Sequence, residues 1–203
     1  MIIRPLSAFE RGNARNFYLS LSTDDRRKRF CCALSDETIS RYVDRFDFTR
    51  DTMLGVFDEQ AQIIGLAELV TGPKESEMAF SVRPDRRGQK IGTLLMERLI
   101  AHASLCGVRK VFVMFLSDNT PMRKMASRAG MSVHTEDGES YAARELPLPG
   151  AESAGRGFDA ASLSRGGVFG IPGISAMRLL VDKSSGKLAE TRAEPAKALV
   201  SSA

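Results

Sequence analysis

A chain of 203 residues and 22.2 kDa is long enough for one domain and a remainder, and too short for two full domains. Apolar residues make up 43% and charged residues 27%, enough for a core and too apolar for wholesale disorder. The 29 Lys+Arg against 25 Asp+Glu leave a formal charge of +4, a mild excess that admits a phosphate-bearing partner without demanding one.

No apolar run approaches the roughly 18 residues that span a bilayer, so no integral membrane protein is expected. The opening MIIRPLSAFERG meets Arg4 and Glu10 before a signal-peptide apolar stretch could form, and the expected setting is the cytoplasm. Cys31, Cys32 and Cys106 are an odd number with two adjacent, which is neither a disulfide framework nor a zinc knuckle.

In chain order, Met1–Arg4 is a short apolar run before Pro5 and reads as an opening strand. Two helices follow: Phe9 to Leu21, with Phe17 and Leu21 at helical spacing, and Asp36 to Phe46, with Ile39, Val43 and Phe46. Between them Arg26-Arg27-Lys28-Arg29 reads as a short basic loop, a solvated face rather than a nucleic-acid site, because no aromatics interleave it beyond Phe30. Such a cluster would at most steer an acidic substrate.

The period then changes to two. Met53–Phe57 and Ile63–Val70 flank Asp58-Glu59-Gln60 as a β-hairpin, and Gly72-Pro73-Lys74 makes a second turn. Glu77–Val82 alternates, with Met78, Phe80 and Val82 on one face and Glu77, Ala79 and Ser81 on the other. Pro84 ends that strand, and a helix carrying Ile91, Leu94, Leu95, Leu99 and Ala103 runs to Gly107. Val111–Leu116 is apolar throughout, as a strand covered on both faces should be. Thr120 is the expected cap of a helix with Pro121 in its first turn and Met122, Met125 and Ala129 as its stripe. Strands near Met131–Thr135 and Ser140–Leu146 complete a mixed α/β sheet. Composition shifts at Leu146-Pro147-Leu148-Pro149-Gly150, and from Gly150 onward 26 of 54 residues are Gly, Ala or Ser. The expected organisation is therefore a folded unit over 1–147 and a low-complexity, flexible tail over 148–203.

The chemistry concentrates in Glu77 to Gly92, EMAFSVRPDRRGQKIG, a strand leading through a Gly- and Arg-containing turn into a helix. Amides at a helix N-terminus lack intrahelical acceptors, and the dipole adds partial positive charge, so the junction suits a phosphate. Gly88 and Gly92 allow close approach of the main chain, while Arg86, Arg87 and Lys90 supply full charges. Neither the dinucleotide G-x-G-x-x-G fingerprint nor the Walker G-x-x-x-x-G-K-[ST] loop is present.

This stretch resembles the acetyl-CoA-binding motif [QR]-x-x-G-x-[GA] of the GNAT N-acetyltransferase superfamily, aligned on Arg87, Gly88, Gln89, Lys90, Ile91 and Gly92. The preceding EMAFSV, the following TLLMERLIAHASLCG and the later VRKVFVMFLSDNTPMRKMASRAGM are family-like as well. The N-terminal LSTDDRRKRF, with Asp51 later, looks most like the acetyltransferase domain of bacterial protein lysine acetyltransferases. The resemblance covers about Met1 to Leu146. It implies a mostly antiparallel mixed sheet flanked by helices, and transfer of an acetyl group from acetyl-CoA to a primary amine, a protein lysine or a small molecule, without a metal.

It also implies roles. The amides of Gly88 to Thr93 with the Arg87 and Lys90 side chains would anchor the pyrophosphate. Ser81, Val82 and Arg83 would lie along the pantetheine arm, with the Val82 amide as oxyanion donor. Glu77 aligns with the family's strand carboxylate as general base, Glu68 on the neighbouring strand is the alternative, and Asn119 matches an Asn that contacts the cofactor or orients a water. Lys90 stands where the family usually has Gly and is expected to take ordinary helix-entry angles. The Tyr that many relatives use as general acid is replaced by Ala126; Ser127 beside it is a speculative donor, and otherwise the thiolate is protonated by water. His102 and His134 lack partners at metal-ligand spacing and are expected to be structural. A homodimer is compatible with all of this. The rival readings are a non-catalytic acetyl-CoA-binding regulatory module and an anion-binding module unrelated to CoA.

Overall fold

The computed structural model describes residues 1–147; the expectation of a flexible tail over 148–203 lies outside the described residues. Seven strands form one sheet in the order β1-β2-β3-β4-β5-β7-β6: β1 (Ile2–Pro5), β2 (Thr52–Phe57), β3 (Ile63–Val70), β4 (Ser76–Val82), β5 (Lys110–Leu116), β6 (Ser132–Glu136) and β7 (Glu139–Glu145). Every neighbouring pair is antiparallel except β4 with β5. The mixed, mostly antiparallel sheet expected from the sequence is the observed one.

Two cores follow from the strand alternation. On one face, Met53, Phe57 and Leu66 pack beneath α1 (Arg11–Leu19), α2 (Thr23–Phe30) and α3 (Asp36–Arg45) through Phe17, Tyr18, Phe30, Ile39 and Val43. On the other, Met78, Val111, Val113 and Phe115 meet α4 (Ile91–Leu105) and α5 (Thr120–Arg128) through Leu95, Met96, Leu99 and Met122. Burying one such large apolar side chain contributes about 1.5–3 kcal/mol, so the two clusters dominate the favourable terms.

Three N-terminal helices stand where the sequence pattern indicated two. The stretch read as a basic loop is helix α2, capped by the Ser22 hydroxyl, which accepts from the Asp25 amide. Its mean hydropathy is low and it shows no apolar stripe, so periodicity could not reveal it. The helix distributes its cations in different directions, and none of the four is simply solvated. Arg26 caps α1 by donating to the Leu19 and Leu21 carbonyls (2.7 and 3.0 Å), Arg27 pairs with Asp118 (2.9 Å), Lys28 with Asp24, and Arg29 with buried Glu68. Asn119, rather than Thr120, caps α5: its Oδ1 accepts from the Met122 amide at 3.2 Å. Among the described residues no helix is long and apolar enough to cross a membrane, and no cluster of three metal-ligating side chains occurs.

Candidate active site

β4 and β5 are neighbours at only two positions, Ser76 with Val111 and Glu77 with Phe112, and then diverge. β5 goes on along β7 through Leu116, while β4 goes on along β3 to Val82. The edge of β4 beyond Glu77 is therefore unpaired among the described residues. The Arg83 amide donates to the Ile64 carbonyl at 3.0 Å, and alternation along an antiparallel ladder then turns the Ser81 backbone toward β3 as well. The backbone groups of Phe80 and Val82 face the gap. Consistent with this, the Val82 carbonyl accepts from Arg87 Nε at 3.3 Å. Sequence reasoning named Val82 and missed Phe80, because only the ladder register tells which amides point outward.

The gap leads upward into the turn before α4. Among the described residues, the six consecutive amides from Gly88 to Thr93 donate to no backbone or side-chain acceptor, whereas the Leu94 amide already bonds to the Lys90 carbonyl (3.0 Å). Gly88 has φ +77° and Lys90 φ +61°, both left-handed. The expectation of ordinary angles at Lys90 is thus corrected. The turn needs a positive φ there to aim its amides outward, which explains why glycine suits the position. At Gly92 a Cβ would stand 3.2 Å from Met125 Sδ and 3.9 Å from Val82 Cγ2, so a larger residue would crowd the floor of the turn. Gln89 and Lys90 are exposed, and Thr93 is half-buried at the upper end of a cleft of about 310 Å³ between α4 and α5. That cleft lies on the opposite face of the sheet from α2, and Thr93 is its link to the turn.

The carboxylates separate clearly. Glu77 is half-buried on the last shared rung, on the face beneath α2. Glu68, the alternative base, is fully buried and fully engaged: Oε1 accepts from the Tyr18 hydroxyl at 2.6 Å, and Oε2 from Tyr42 and the Arg29 guanidinium. Burial opposes the Arg29 charge, but Glu68 and the two tyrosines outweigh it and hold the guanidinium well above its ordinary range. Burial, reinforced by the Glu68 charge, pushes both tyrosines up, so they stay protonated donors. This geometry gives Glu68 the work of neutralising Arg29 and leaves little room for proton transfer to a substrate.

The remaining expected residues fall as follows. Asn119 sits at the head of β5's outgoing loop, its Oδ1 already used in the cap. Arg87 pairs with Asp25 on α2, and the Arg83 side chain with Asp85 (2.8 Å). The Ser81 hydroxyl is buried, faces the α2 side beside Leu66, and has no hydrogen-bond partner among the described residues. Ala126 is fully buried in the core, and Ser127 beside it is exposed on α5. His102 is structural, with Nε2 2.8 Å from Thr52 Oγ1, and His134 lies exposed on edge strand β6.

A parallel strand pair opened into a V, with free amides at a helix head above it, offers unpaired main chain to an extended ligand and amide donors to an anion. Comparison with known proteins agrees. The profile of the acetyltransferase (GNAT) family matches residues 14–131, and the chain belongs to that family, whose members are acetyl-CoA-dependent N-acetyltransferases. Acetyltransferase Pat of Mycolicibacterium smegmatis is 40% identical over 62 residues, 30% of this chain and 19% of that protein, so the chain matches a minor part of that relative's length. Among solved structures, the GNAT domain of S. lividans PAT superposes with a TM-score of 0.61 at 24% identity, covering 71% of this chain and 89% of that one. Spermidine N-acetyltransferase from Vibrio cholerae, solved with CoA and spermine, gives 0.58 at 15% identity, covering 71% and 95%. At these identities the structural matches establish the fold.

Proposed function

We propose that this enzyme transfers acetyl from acetyl-CoA to a primary amine in a ternary complex, and that a protein lysine is the acceptor. The observation that carries this reading is the continuity of unpaired backbone, from the Phe80 and Val82 edge of β4 into the free amides of Gly88 to Thr93. The diphosphate would rest on the helix head, the pantetheine arm would add along β4, and an outward amide of β4 would receive the thioester oxygen. Losing such an oxyanion donor typically raises the barrier by about 3 kcal/mol.

An alkyl ammonium with a pKa of about 10 must lose a proton before its nitrogen attacks. Glu77 takes that role. It lies five residues from Val82, about 16 Å along an extended strand, so the proton crosses through water rather than by direct contact. The buried Ser81 hydroxyl on the same face has no hydrogen-bond partner among the described residues and would hold that water. Attack forms the C–N bond, the C–S bond breaks, and the thiolate takes a proton from solvent, since Ala126 offers none. The lysine acceptor follows the resemblance of LSTDDRRKRF to bacterial protein lysine acetyltransferases, and the stretch shared with an acetyltransferase supports acyl transfer in general.

The test is release of free CoA from acetyl-CoA against a lysine-rich protein and a panel of small amines. Turnover with the protein and its absence with small amines is the expected result. Cofactor binding without thiol release would instead support a regulatory module, and no thermal shift with CoA would remove the site altogether.

A further inference from the structure

The ion pair between Arg87 and Asp25 joins two parts of the molecule 62 residues apart in sequence, the turn before α4 and helix α2. Asp25 is 7% exposed. Its carboxylate accepts from Arg87 Nη2 and, at 2.8 Å, from the Ser22 hydroxyl. Arg87 in turn donates Nε to the Val82 carbonyl at the edge of the β4–β5 gap. One guanidinium therefore ties the strand edge, the turn and α2 together at the entrance to the row of free amides. Its side chain remains 48% exposed, and these two contacts use only part of its fork of donors.

Two behaviours are physically distinct. Arg87 either leaves Asp25 for an arriving anion, or keeps Asp25 and meets the anion with its remaining N–H groups. Burial decides between them. A carboxylate at 7% exposure that lost its cation would keep only the Ser22 hydroxyl, and a largely desolvated carboxylate without its cation is unfavourable. The planar fork also suits simultaneous contacts, since it holds its donors in fixed directions once one edge is pinned.

We propose that Asp25 is a positioning residue for the cofactor: it pins the Arg87 guanidinium so that its outward N–H groups face the diphosphate at the head of α4. The proposal rests on the reading that acetyl-CoA occupies the gap. By charge alone Asp25 would weaken anion binding, so the sign of its effect separates positioning from simple repulsion.

The test compares full-length wild type, Asp25→Ala, Asp25→Asn, Arg87→Ala and the double Ala variant with two acetyl donors. One is acetyl-CoA; the other is S-acetylpantetheine, which carries the thioester but no diphosphate. For acetyl-CoA, Asp25→Ala should lower kcat/KM on the order of tenfold, through KM with kcat nearly unchanged, as expected for a lost charge-assisted contact. For S-acetylpantetheine it should change nothing, and the double variant should be no worse than Arg87→Ala alone. Should Asp25→Ala not fold, Asp25→Asn keeps an oxygen for Arg87 and should show a smaller loss, about threefold, again confined to acetyl-CoA. Equal losses with both donors, multiplying effects in the double variant, or tighter acetyl-CoA binding without Asp25 would each overturn the proposal while leaving the enzyme reading intact. Wild type that binds no acetyl-CoA overturns both.

Discussion

Glu77 stands opposite Phe112 on the last rung that β4 and β5 share. Below that rung the sheet is continuous; above it the two strands diverge and the β4 edge is bare. A half-buried carboxylate is thus fixed at the vertex of the gap, beneath α2, with Phe112 stacked on Tyr141 (ring centroids 5.3 Å apart) on its far side.

Glu77→Gln should therefore cut kcat by about a hundredfold or more, the usual contribution of a positioned general base, with KM for acetyl-CoA within about twofold of wild type. The acidic limb of the pH–rate profile should disappear with it. A limb that persists in the variant would show that another group takes the proton.

Glu68→Gln should act on stability instead. It leaves Arg29, whose side chain is 4% exposed, as a buried cation without its carboxylate, a loss of about 3–5 kcal/mol. Denaturant unfolding should register that loss, while the fraction still folded at low temperature keeps a near-normal kcat. A collapse of kcat in fully folded Glu68→Gln would return Glu68 to the chemistry.

At Lys90 the left-handed backbone, φ +61°, costs a side-chain-bearing residue about 1 kcal/mol relative to glycine. Lys90→Gly should raise Tm by about 3 °C, while Lys90→Gln, which removes the charge but keeps the Cβ, should not. Comparing the acetyl-CoA affinity of Lys90→Gln with that of wild type isolates the ammonium's own contribution. A destabilised Lys90→Gly would contradict the strain argument.

Burial lowers the pKa of His102, so the folded state holds it neutral while the unfolded chain protonates near the ordinary value of 6.5. Its contribution to stability is present above about pH 6.5 and is lost as pH falls through the lowered folded value, because the unfolded state then binds the extra proton. Thermal melts from pH 8 to 5 should show a steeper decline for wild type than for His102→Gln, which keeps a group able to reach Thr52 Oγ1. Parallel curves would place the titration elsewhere.

Local signals made much of this molecule legible. The hairpin around Asp58, the alternation of β4, the apolar run of β5 and the glycines ending α4 and α5 all rest on interactions between near neighbours, and each appears where the pattern placed it. The turn at Gly88 to Gly92 belongs partly to the same class: a helix head always leaves its first four amides unbonded, whereas the left-handed backbone at Lys90 was not legible.

What the sequence could not show depends on contacts between distant residues. Helix α2 has no apolar stripe to announce it, because it is held by cations reaching Asp118, Glu68 and the end of α1. The same dispersal turned a basic run into four separate partnerships. Glu68 and Glu77 are both strand carboxylates in the sequence; only the register and the rings of Tyr18 and Tyr42 enclosed one and left the other at the vertex. Hydrogen-bond period is written in a few consecutive residues, whereas which charge meets which is settled when chain segments tens of residues apart exclude water together.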